Sequence, residues 1–139
     1  MTKCLEFGDL WQVYLLPGRL PWYIPDAGTR TKIVSVQTVL ETCSVVGLRY
    51  VYYDIIDKVG GVWKIRGRYV YPNYQKESDR FTYSLIPGFH GSGFASVGCR
   101  VMPWDRNIKF DSTHSLMFSA IGIKHDDIFD GAQFYIERW

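Results

Sequence analysis

The chain has 139 residues, one domain's worth, and its 47% apolar and 22% charged composition excludes a disordered segment. Sixteen Lys and Arg against 14 Asp and Glu leave a net charge of +2, too little to draw nucleic acid by electrostatics alone. No apolar run approaches the roughly 20 residues of a membrane helix, and Glu6 and Asp9 interrupt any signal-peptide core near Met1.

In chain order the sequence reads as strands. Residues 11–16 form a β-rich run that stops at Pro17-Gly18. Residues 36–43 place Val36, Val39, Leu40 and Cys43 at helical spacing, yet their β-branched content and the preceding Thr31-Lys32-Ile33-Val34 favour a strand over 32–41. Residues 45–56 run to Gly60-Gly61, a tight-turn pair, and 62–71 run to Pro72-Asn73, so these two should form a hairpin. Residues 81–86 end at Pro87-Gly88, 94–102 at Pro103, and 115–123 in a polar loop; 108–110 and 132–139 complete the set. The expectation is an all-β, antiparallel, jelly-roll-like sandwich of about eight or nine strands, a single domain over 1–139.

Period-two alternation gives the core. In 62–71, Trp63, Ile65, Tyr69 and Tyr71 fall on one face and Lys64, Arg66 and Arg68 on the other. Along 94–102, Ala95, Val97, Cys99 and Val101 share an apolar face. Trp63, Ile65, Val97, Cys99, Phe134 and Ile136 are therefore the expected core. The three cysteines, Cys4, Cys43 and Cys99, are odd in number and scattered, which fits a reducing compartment rather than a disulfide framework.

A Pro-rich extended segment at 16–28 differs in kind. Pro17, Pro21 and Pro25 should keep it out of regular sheet, while Leu20, Trp22, Tyr23 and Ile24 offer apolar area that water disfavours. These four residues, with the Lys64, Arg66 and Arg68 stripe, are the expected interface with other protein subunits in a homo-oligomer or larger assembly. The competing arrangement folds the segment back over its own sandwich. Trp104, in the turn Pro103-Trp104-Asp105-Arg106-Asn107, is the candidate for stacking on a glycan ring.

No zinc pattern, Walker loop or dinucleotide fingerprint is present, so no cofactor is expected. The acidic stretch 124–131 lacks the spacing of a calcium loop and reads as a solvated turn, and His114 has no partner that spacing identifies. His90-Gly91-Ser92 and Ser96-Val97-Gly98-Cys99-Arg100 resemble the His-Gly and Ser-x-Gly-Cys elements of L,D-transpeptidases. That resemblance implies Cys99 as acylated nucleophile and His90 as its base. It departs from the family where Arg100 follows Cys99 directly, in the short interval from His90, and in lacking the upstream Thr-Pro-x-Gly segment.

The C-terminal third, from Asn107 through Ser115-Leu116-Met117-Phe118-Ser119-Ala120 to Phe134-Tyr135-Ile136-Glu137-Arg138-Trp139, looks like the last strands of jelly-roll bacteriophage fibre, baseplate and capsid-decoration proteins. Those finish on Phe-x-Ile-x-Arg-aliphatic; here Trp139 takes the final place. The resemblance implies a non-enzymatic virion component assembled in a host cytoplasm, with protein subunits rather than nucleic acid or membrane as partners. A transpeptidase-like enzyme and a glycan-binding module are the alternatives.

Overall fold

The computed structural model describes residues 9–18, 20–87, 95–96, 98–104 and 108–139. Eleven strands occur among them: β1 (Asp9–Leu15), β2 (Trp22–Tyr23), β3 (Thr31–Glu41), β4 (Tyr50–Val59), β5 (Val62–Val70), β6 (Arg80–Ile86), β7 (Ala95–Ser96), β8 (Cys99–Pro103), β9 (Lys109–Phe110), β10 (His114–Ile121) and β11 (Ile128–Arg138). One sheet runs β1-β11-β3-β6-β8-β7, with β9 also on β3, and the other runs β2-β10-β4-β5. Among the described residues no helix is long and apolar enough to cross a membrane.

The two sheets form a β-sandwich because strand alternation gives each one an apolar inner face. Ile33, Val36, Leu40, Leu85 and Phe134 from the larger sheet meet Val51, Tyr53, Leu116 and Phe118 from the smaller. Tyr23 lies 5.2 Å from Phe134, centroid to centroid, and joins the two layers. Burying a side chain the size of Phe118 or Phe134 contributes about 1.5–3 kcal/mol. Phe134 and Ile136 lie in the core as alternation expects. The β4–β5 hairpin forms at Gly60-Gly61, with Val59 opposite Val62.

Three expectations need correction. The run 94–102 is two strands, since Ser96 pairs back on Cys99 and Gly98 takes φ +85°, a left-handed conformation that glycine adopts without steric cost. Cys99 therefore starts a new strand and is only half-buried, rather than continuing an apolar face. Val97 lies outside the described residues. Next, β8 runs parallel to β6, so the sheets are not wholly antiparallel.

The third correction concerns β5. Ile55 faces Gly67 but Ile56 faces Ile65, so Arg66 is an extra residue with no opposite number. This bulge inverts the alternation. Gly67 and Tyr69 share the inner face with Ile55 and Tyr53, whereas Trp63 and Ile65 share the outer face with Lys58 and Ile56. Ile65 is 53% exposed and Trp63 half-buried, so neither is a core residue.

Candidate interaction surface

The segment after β1 turns at Pro17-Gly18, where the Gly18 N–H donates to the Phe129 carbonyl at 2.9 Å. Its prolines do not exclude it from the sheet. The Phe118 N–H donates to the Pro21 carbonyl at 2.8 Å, and Trp22-Tyr23 then pair with Met117 and Leu116 of β10. Proline bars a ladder only at its own nitrogen, so the two residues between Pro21 and Pro25 can form a short edge strand. Alternation divides the segment: Pro21, Tyr23 and Pro25 are buried, while Leu20, Trp22 and Ile24 are exposed. Tyr23, expected in an interface with other subunits, is a core residue; the segment covers its own sandwich.

The exposed half borders further apolar surface. The Trp22 indole N–H donates to the Ser115 hydroxyl at 2.7 Å, and its ring meets Trp63 edge-on at 6.2 Å. Ser115 and Ile56 lie buried on this outer face, beside exposed Ile65. Trp22, with Leu20, Leu16, Leu15 and Tyr14, also lines a groove of about 620 Å³. β1 adds exposed Leu10 and Tyr14 on its outer face, while Trp11 points to the other side with its ring 4.2 Å beneath the Arg138 guanidinium.

The basic stripe of β5 is divided by the bulge. Arg68 grips Asp54 with two bonds, Nε to Oδ1 at 2.8 Å and Nη2 to Oδ2 at 3.0 Å, and lies 4.0 Å over the Tyr52 ring. Arg66 pairs with Asp57 at 2.6 Å, and Lys64 sits opposite Asp57 in the ladder. Arg68 shields the buried Asp54 carboxylate. Arg68 and Arg66 thus form intramolecular pairs on an edge strand, the arrangement by which sheets avoid wrong neighbours.

Trp104 does not present a ring to solvent. It is 3% exposed, its indole N–H donates to the Ile33 carbonyl at 2.7 Å, and it packs edge-on against Tyr53 at 5.8 Å. A buried indole N–H needs such a partner, and the inter-sheet space supplies one. The transpeptidase-like pair cannot be assembled from the described residues, because His90 lies outside them. Among the described residues no three His, Cys, Asp or Glu side chains converge as metal ligands. His114 Nδ1 is 2.9 Å from Asp111 Oδ1 in a surface turn. The Thr113 hydroxyl and N–H, with His114, hold the Asp111 carboxyl down at about 2.

The acidic loop has a structural use that its sequence does not announce. Asp127 accepts from Arg49 Nε at 2.9 Å, Arg49 Nη2 at 3.0 Å, the Cys43 N–H at 2.9 Å and the Lys124 N–H at 2.8 Å. Both side chains are fully buried. Burial by itself raises a carboxyl's pKa, but the Arg49 and backbone hydrogen bonds outweigh it and bring Asp127 down to about 2. Gly122 permits the close approach of the two loops, since φ is +79° and a Cβ there would collide with the Leu48 carbonyl oxygen. The Arg49 backbone also exchanges two 2.8 Å bonds with Gln75, whose side-chain carbonyl accepts from the Tyr83 hydroxyl at 2.9 Å. The only sequence signal is an arginine within an apolar run, Val45 to Val51.

The chain matches no family model, no curated protein and no solved structure.

Proposed function

We propose that this protein is a non-enzymatic structural or interaction protein, a virion component of the decoration, baseplate or fibre type, that works through contacts with other protein subunits. The supporting observation is the apolar strip from β1 through Leu16, Leu20 and Trp22 to Trp63 and Ile65, all on the surface of one folded chain. Exposed apolar side chains gathered around one groove in this way mark interaction surfaces. The resemblance of the C-terminal strands to jelly-roll phage proteins supplies the virion assignment. Sedimentation across a micromolar concentration series tests the reading. The expected result is a defined assembly larger than one chain; a single monomeric species throughout overturns it.

A further inference from the structure

We infer that β1 pairs with β1 of a second copy of this chain, antiparallel about a two-fold axis at Gln12, joining the two larger sheets into one. The inference rests on the assembling-subunit reading above and names the partner and the contact. β1 is an edge strand of seven residues, and among the described residues no strand pairs with its outer side. Its pairing with β11 continues without a register shift, so no bulge twists this edge away. Asp9-Leu10-Trp11-Gln12-Val13-Tyr14-Leu15 contains neither Lys nor Pro. Those are the devices that blunt sheet edges.

The other sheet edges are blunted. β5 carries a bulge and Lys64, Arg66 and Arg68; β2 is two residues between Pro21 and Pro25; β7 is two residues long. β1 combines length, regularity and apolar character.

Its sequence is also self-complementary about Gln12. Pairing through that centre sets Leu10 opposite Tyr14 of the second copy and Trp11 opposite Val13, while Gln12 meets itself. Directly opposed residues point to the same side of a sheet, so the four inner contacts match apolar with apolar, Gln12 meets Gln12 on the axis, and only at the two ends does Asp9 fall opposite Leu15. Leu10 is 77% exposed, Trp11 48% and Tyr14 63%. A fully buried aromatic contributes roughly 150–250 Å². These side chains bring each copy to a few hundred Å², the size of a weak, concentration-dependent contact rather than the ~800 Å² per partner of a standard stable interface. Pairing also satisfies the N–H and C=O groups along the free edge.

A charge exchange tests the contact. One variant carries Leu10→Lys, Gln12→Lys and Tyr14→Lys, and a second carries Glu at the same three positions. All three side chains point outward, and far-UV circular dichroism checks that the fold is kept. Like charges then face one another at all three pairings, which should weaken self-association roughly tenfold or more in each variant alone. An equimolar mixture of the two should restore the dimer by sedimentation. In parallel, a single Gln12→Cys chain should cross-link to its copy at position 12 under mild oxidation, since the residue meets itself on the axis. Wild type that assembles, with variants that assemble equally well, overturns this interface and leaves the assembly reading standing. A mixture that stays monomeric, or absence of the position-12 cross-link, overturns the two-fold register. Wild type that is monomeric throughout overturns both.

Discussion

The corner around Arg49 and Asp127 and the side formed by β1 and Trp22 treat their surfaces in opposite ways. At the corner, two charges are taken fully out of water and every strong acceptor position on Asp127 is filled. At the side, Leu10, Tyr14, Leu16 and Trp22 are left in water. Groups at the corner have exhausted their partners within the chain, and those at the side have not. A buried ion pair that is complete fixes one arrangement of two loops. An apolar strip that is incomplete retains free energy to be gained from contact with something else.

The largest expected effect comes from breaking the corner. Asp127→Ala leaves Arg49 charged, buried and unpaired, and should lower unfolding stability by about 3–5 kcal/mol in a urea titration. A loss under 1 kcal/mol would mean that water reaches Arg49 and that the corner is no more closed than the side.

The second effect is pH dependence. Asp127 has its folded pKa depressed to about 2 from an ordinary 3.8. The pair's contribution is therefore present above pH ~4 and is lost as the pH falls through about 2, a change on the order of 2 kcal/mol. Thermal midpoints should fall steeply over that interval in the wild type and less steeply in Asp127→Asn. Tyr83 sets the opposite limit: burial, only partly offset by Arg100, pushes its hydroxyl up to about 12. Its contribution is complete below pH ~10 and is lost as the pH rises toward 12. A flat acid profile in the wild type would remove the corner's distinction.

The smallest effect sharpens the other half of the comparison. Ile65→Ser should change stability by no more than about 0.5 kcal/mol, as surface substitutions do, because Ile65 is 53% exposed on the outer face. Were it in the core, as its alternation with Trp63 and Tyr69 suggests, truncation would cost about 2–5 kcal/mol. One denaturation curve separates the two.

That disagreement shows what a single sequence can and cannot carry. The β4–β5 hairpin was legible because Gly60-Gly61 and the flanking alternation are local. Phe134 and Ile136 were legible because their strand keeps its period around them. The bulge at Arg66 adds one residue to a ladder, and only the partner strand reveals that the count is off. β2 is two residues long, too short for any period to register. Arg49 and Asp127 are 78 residues apart, so no spacing rule joins them. Trp104 looked like a loop aromatic because its carbonyl partner, on Ile33, is equally remote. Of the surface, Leu20, Trp22 and Ile24 were readable as unsheltered apolar residues; the contribution of β1 was hidden in a strand indistinguishable from an interior one.

The strand order carries a consequence for how the molecule comes into being. β11 lies between β1 and β3 and pairs with both, yet β1 ends at Leu15 and β11 begins at Ile128. During synthesis β1 emerges before β11 and waits, without this hydrogen-bonding neighbour, until the whole intervening chain has been made. Closing so long a loop makes the sheet slow to form. Throughout that interval Leu10, Trp11, Val13 and Tyr14 are displayed without the flank that β11 later covers.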